Sequence, residues 1–209
     1  VVARGTEQFV VAFLTVEFVV TAAATDDVVA RAGVDDVVAG VGLDDVVAAI
    51  RRVGELTGRR DAANEAADGF KQFFDKLRGE YRSASPIDVF FQVSARPLYT
   101  INREHFISEI ISICGGRNIF DDLEGFAPAV DVEAVVDRDP DVMLAGANLG
   151  DDAFADWARW PNLAANRFGN QFLLPDETIG RPSPRLTMAG RSVCIALDRA
   201  RRNREAARL

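Results

Sequence analysis

A chain of 209 residues can hold one large domain or two small lobes, and either can bury a substantial core. With 48% apolar and 27% charged residues and no long polar tract, it has the composition of a soluble globular protein. The net charge of −8 argues against a nucleic-acid partner, which needs a basic face.

The longest apolar run, Phe9 to Ala24, is broken at Glu17 and is shorter than the ~20 apolar residues a membrane-spanning helix needs. Ala22, Ala23 and Ala24 imitate a signal-peptide cleavage site, but Glu17 and the β-branched and aromatic content favour two strands. No targeting signal then remains, as expected of a mature exported chain and equally of a cytosolic one. The pentapeptide DDVVA recurs at Asp26, Asp35 and Asp44 without the glycine pattern of calcium-binding β-rolls. Its copies read differently. Thr25, Asp26 and Asp27 form an N-cap and acidic first turn of a short helix closed by Gly33. Residues 36–42 read as a short buried strand. Leu43 to Gly58 reads as a second helix, with Val46, Val47, Ile50, Val53 and Leu56 on one face.

From Asp61 to Arg82 the chain lacks proline and carries one stripe through Ala63, Ala66, Ala67, Phe70, Phe73, Phe74, Leu77 and Tyr81. At 1.5 Å per residue this helix is roughly 33 Å long, enough to connect two lobes. The second half alternates: a strand at Ile87 to Val93, a proline-bearing loop from Ser94 to Thr100, and a helix from Glu104 to Cys114 stopped by Gly115 and Gly116. A short helix follows at Val132 to Arg138, then a buried strand at Asp141 to Gly146 and a helix at Phe154 to Trp160. Phe172 to Leu174 is the next strand, and Pro184 to Arg202 the terminal helix. The basic cluster Arg199, Arg201, Arg202, Arg204 and Arg208, interrupted by Glu205, reads as a solvated face or frayed tail. Alternating βα units predict an α/β fold whose parallel sheet is covered on both faces, with ligands at the loops beyond the strand C-termini.

Catalytic chemistry has little to work with. There is no phosphate-cradling glycine loop and no nucleophile elbow, and His105 is the sole histidine, placed in a helix among apolar neighbours where packing is its expected role. One imidazole excludes a multi-histidine metal site. The acidic pairs lack EF-hand spacing, so no metal is expected. The chain reads as a binder and not as an enzyme.

Two loops carry the candidate contacts. Tyr99, in Arg96-Pro97-Leu98-Tyr99-Thr100 after the first strand of this half, offers an apolar ring with a hydroxyl handle. Arg181, in GRPSPR after the strand at Phe172 to Leu174, can meet a carboxylate or phosphate with its planar fork. Ser183 and Pro184 suit the cap and first position of the terminal helix. Cys114 and Cys194 both fall on the apolar sides of amphipathic stretches, which makes them candidates for one bridge stapling two helices in an oxidising compartment.

From about Leu43 to Arg199, the segments LDDVVAAIRRVGELTGR, VFFQVSARPLYT, ISICGGRNIF, FAPAVDVEAVVDRDPDVML, RPSPRL and SVCIAL appear in an order that resembles the periplasmic cobalamin-binding proteins of ABC importers. Those belong to a wider group that also takes ferric siderophores and haem. The resemblance implies two parallel-sheet lobes joined by one long helix: an N-terminal lobe over 1–60, a connecting helix over 61–82 and a C-terminal lobe over 83–209. It implies a bond between Cys114 and Cys194. Tyr99 matches a cleft aromatic, Arg181 the arginine-bearing turn near the cleft, and Glu133 the glutamate that docks onto permease arginines. Ala127 stands where a tryptophan is usual, with Phe126 beside it as the substitute ring. The N-terminal lobe is reduced: the part that normally carries its docking glutamate and further cleft aromatics has no counterpart. Either the lobe is truly short or a segment is absent from the sequence in hand, which a measured mass well above 22.7 kDa would establish.

The implied function is to bind cobalamin or a related corrinoid between the lobes and deliver it to the permease. The protein would be a periplasmic or otherwise extracytoplasmic monomer, peripheral to the membrane, either free or lipid-anchored. The chelate would be cargo, with no resident cofactor. Alternatives are a ferric-siderophore or haem receptor of the same fold, with His105 or Tyr99 on the haem iron, and a non-transport interaction or sensor domain.

Overall fold

The computed structural model describes residues 9–13, 16–20, 42–175 and 179–207. The apolar run near the start forms two antiparallel strands, β1 (Phe9–Phe13) and β2 (Val16–Val20), paired from Phe9–Val20 to Phe13–Val16. The expected helix from Thr25 to Gly33 and the expected strand at 36–42, except for Gly42, lie outside the described residues.

Helix α1 (Leu43–Leu56) begins where its acidic first turn places it. The Asp45 carboxylate accepts the Gly42 N–H at 2.8 Å, and Glu109 accepts the Leu43 N–H at 2.9 Å, so two negative groups meet the positive end of the helix. Val46 and Val47 are buried, but Val53 and Leu56 are 46% and 51% exposed, so the predicted stripe is covered only in its first half. There α1 turns Gly54 toward helix α2 (Arg60–Glu80), and a Cβ on Gly54 would lie 2.1 Å from that of Ala63. Ala67, Phe70, Phe74 and Leu77 form the buried edge of α2, as the stripe predicts.

Four parallel strands make the central sheet, in the order β6 (Gly116–Asn118), β3 (Ile87–Gln92), β7 (Val142–Gly146), β8 (Gln171–Leu174). Side chains alternate between the faces, and both faces are apolar. Val89, Phe91, Val142 and Leu144 join one cluster with α1, α2, helix α3 (Phe106–Ile113) and the terminal helix α6 (Leu186–Ala206). Phe90, Met143 and Ala145 join the other, with helix α4 (Val132–Arg138), Trp157 and the short α5 (Ala164–Arg167). This is the doubly covered parallel sheet that the uninterrupted apolar strands predict. Because α1 and α2 share the first cluster with the sheet, residues on both sides of positions 60 and 82 belong to one core.

Cys114 and Cys194 are bonded, with Cα atoms 4.9 Å apart, within the ~7 Å that a disulfide requires. The double glycine after Cys114 does more than stop α3. Gly115 takes φ +72°, and Gly116 starts β6, where a Cβ would lie 2.8 Å from both Ile111 and Leu197. A three-residue strand reading Gly-Arg-Asn has no β signature, which is why a strand was not expected there.

Several expectations need correction. The Ser94–Thr100 loop contains a small hairpin, β4 (Ser94–Ala95) against β5 (Leu98–Tyr99), around a cis Arg96–Pro97 bond. The turn at Ala155–Arg159 is 3₁₀, not α-helical. Ser183 does not cap the terminal helix with its hydroxyl. Its carbonyl accepts the Leu186 N–H at 2.9 Å in a separate turn, and α6 starts at Leu186 with no side-chain cap. His105 lies before α3, not inside it. Two of the terminal arginines are drawn inward, Arg201 buried and Arg204 half-buried. Arg201 donates to the carbonyls of Ser85 and Cys114, and Arg204 to Asp141 and the Pro86 carbonyl, because backbone acceptors near the strand starts need donors.

Candidate functional site

The carboxyl ends of the four strands open onto four connecting segments, and three of these carry the predicted contacts. After β3 comes the hairpin with Tyr99, which is 36% exposed. The segment after β6 runs back beside it. Thr100 N–H donates to the Pro128 carbonyl and Val130 N–H to the Leu98 carbonyl, both at 3.0 Å, with Tyr99 opposite Ala129. This pairing brings Phe126 to the same flank as Tyr99. Ala127, beside Phe126, is exposed.

His105 supports that flank. Its ring lies between Phe106 at 4.4 Å and Phe126 at 4.3 Å, each tilted by 34°. Nδ1 accepts the Ile107 N–H at 3.1 Å, so the imidazole caps α3 as an asparagine would. Burial pushes its pKa down to about 3, so it stays neutral at ordinary pH. A neutral imidazole has one free lone pair, and here the helix uses it; the proton is on Nε2. The expected packing role holds, and N-capping comes with it. An aromatic on each side of a lone histidine was legible only once the fold had brought Phe126 back.

Arg181 and Ser183 follow β8, on the far side of the β7 loop. Arg181 is exposed, and among the described residues it has no carboxylate partner; Ser183 is half-buried. Since β3 and β8 are two strands apart, the Tyr99 and Arg181 segments spring from points about 10 Å apart. Glu133 is not part of this edge. It lies exposed in the first turn of α4, the helix covering the second face. The disulfide is at the opposite end: Cys114 closes α3 just before Gly116, which pairs with the first residue of β3.

Sequence reasoning missed the groups that hold this edge together. Gln92, 1% exposed at the end of β3, donates to the Ala153 carbonyl at 2.8 Å and accepts the Trp157 indole N–H at 2.7 Å. Arg96 binds the Asp156 carboxylate at 2.8 Å, which holds that carboxyl below the usual range. The available signal was a lone glutamine ending the apolar run IDVFFQ. Two concavities of the surface contain neither Tyr99 nor Arg181. One of ≈ 420 Å³ opens beside β6 around His105, Ser108 and Asn118, and one of ≈ 490 Å³ opens between α2 and α6. Tyr99 and Arg181 are both exposed.

Residues 11–178 match the periplasmic binding protein family. The chain belongs to that family. Among its relatives is the vitamin B12-binding protein of Vibrio cholerae, 32% identical over 154 residues, which are 73% of this chain and 55% of that protein. The crystal structure of periplasmic vitamin B12 binding protein BtuF of Vibrio cholerae superposes with a TM-score of 0.68 at 31% identity, covering 77% of this chain and 63% of that one. The periplasmic heme-binding protein RhuT from Roseiflexus shares the fold, with a TM-score of 0.64 at 21% identity over 76% of this chain and 64% of that one. This chain spans about half the length of the curated relatives it matches. The parallel sheet, its helices and the Cys114–Cys194 bond are those the family resemblance implies.

Proposed function

We propose that this chain forms the ligand-holding edge of a substrate-binding protein that delivers cobalamin or a related corrinoid to an ABC permease outside the cytoplasm. One observation carries the reading: the segments bearing Tyr99 and Arg181 leave the sheet's carboxyl edge from strand ends about 10 Å apart, on either side of β7, and the segment bearing Phe126 pairs with the Tyr99 hairpin. A flat macrocycle of that breadth would stack on Tyr99 while Arg181 and Ser183 meet its polar substituents. Identity above 30% to vitamin B12-binding relatives supports the corrinoid over other chelates. Glu133, exposed on α4, would dock onto permease arginines. The protein would act as a monomer, free or lipid-anchored, with the chelate as cargo and without catalysis.

The bare Ala127 beside Phe126 favours a second reading, in which the edge holds haem or a ferric siderophore instead. For haem the iron ligand would be Tyr99. His105 has no lone pair free, since its Nδ1 serves α3. Calorimetric titration with cyanocobalamin tests the main reading, and absence of heat at high micromolar protein would reject it. A Soret band on haem addition that vanishes in Y99F would establish the second.

A further inference from the structure

The segments after β3 and β7 are tied together at two levels. At the base is the buried Gln92 amide, with its paired hydrogen bonds to Ala153 and Trp157. At the tip is the exposed Arg96–Asp156 pair. The residues flanking Gln92 hold the hairpin: the Thr100 hydroxyl donates to the Phe91 carbonyl at 2.9 Å, and Val93 N–H donates to the Tyr99 carbonyl at 2.9 Å. Residues 91–93 therefore connect the Tyr99 strand on one side to the Ala155–Arg159 turn on the other. Trp157 is itself fixed, 3% exposed and edge-on to Phe90 at 5.7 Å. A buried amide whose oxygen and nitrogen are both engaged admits one orientation, since turning it over would oppose two donors and two acceptors.

We infer that Gln92 is a positioning residue for the ligand edge: its amide fixes the Ala155–Arg159 turn against β3 and so sets where Tyr99 stands relative to the β7 loop, with Arg96–Asp156 as the outer strut. A preformed edge binds without having to order itself first, so loosening it weakens affinity without removing any ligand contact. The affinity part of this inference rests on the corrinoid reading; the structural part does not.

Two tyrosines, Tyr81 and Tyr99, make the test specific. Protein labelled with 3-fluorotyrosine gives one ¹⁹F resonance for each, assigned with Y81F. In Q92M, which keeps the side-chain length but removes both hydrogen bonds, and in W157F, the Tyr99 resonance should shift while that of Tyr81 stays. Cyanocobalamin should bind about tenfold more weakly to both variants. R96A, altered at an exposed position, should move the Tyr99 resonance less. A merely structural role would lower the urea midpoint and leave the Tyr99 resonance and the affinity in place, which would overturn the inference. If Q92M does not fold, W157F and R96A decide. If the wild-type protein binds no corrinoid, the ligand reading fails, and the fluorine spectra still decide whether Gln92 positions Tyr99.

Discussion

Cys114 and Cys194 are joined across 80 residues at the end of the sheet opposite Tyr99, with both cysteines buried. The bond ties the C-terminal end of α3 to α6, while the proposed ligand contacts Tyr99 and Arg181 lie beyond the strand C-termini. The disulfide brace and the proposed ligand edge are thus separated by the length of the strands.

Replacing both cysteines by alanine should lower stability by about 2–4 kcal/mol, since a long closed loop is released in the unfolded chain. Urea denaturation measures this. The affinity of the folded variant for cyanocobalamin should match that of wild type, because neither cysteine belongs to the ligand edge.

Tyr99 and Arg181 should show the opposite behaviour. Both are exposed, so Y99A and R181A should leave the urea midpoint nearly unchanged. Each should weaken corrinoid binding by roughly tenfold or more, and Y99F should retain most of the affinity if the ring stacks. Calorimetry on the three variants separates stacking from hydrogen bonding by the hydroxyl.

His105 predicts an acid-dependent component of stability. Its folded pKa of about 3 lies below the ordinary 6.5 because burial disfavours the charged ring. The unfolded chain therefore takes up a proton first as pH falls. Stability supplied by the neutral ring is full above pH 6.5 and declines as pH drops from 6.5 towards 3. In H105N, which keeps a capping acceptor but cannot titrate, urea midpoints should lose this part of the pH dependence.

Tyr81 predicts a component at the alkaline end. Burial first, then its hydrogen bond to Asp198 at 2.7 Å, raises the phenol from 10.0 to about 12. The unfolded chain ionises before the folded one, so this contribution is present below pH 10 and fades between pH 10 and 12. Y81F should remove the phenolate absorbance step near pH 12 and cost about 1 kcal/mol at neutral pH through the lost hydrogen bond.

The sequence by itself determined the βα alternation, the long helix, the burial of Phe70, Phe74 and Leu77, and the loops that carry Tyr99 and Arg181. These are local properties, because hydrophobic period, proline and glycine act over a few residues. The family resemblance added the cysteine pairing. Only the tertiary structure decided that His105 caps α3 between two phenylalanines, that Arg201 and Arg204 are drawn inward, that Gly116 starts a strand, and that Gln92 holds the Trp157 turn. Most of those depend on a partner distant along the chain: Phe126 for His105, groups 61 and 65 residues away for Gln92, and Cys114, 87 residues away, for Arg201. A buried polar group is defined by whichever donor or acceptor the fold brings to it, and no local pattern encodes that partner.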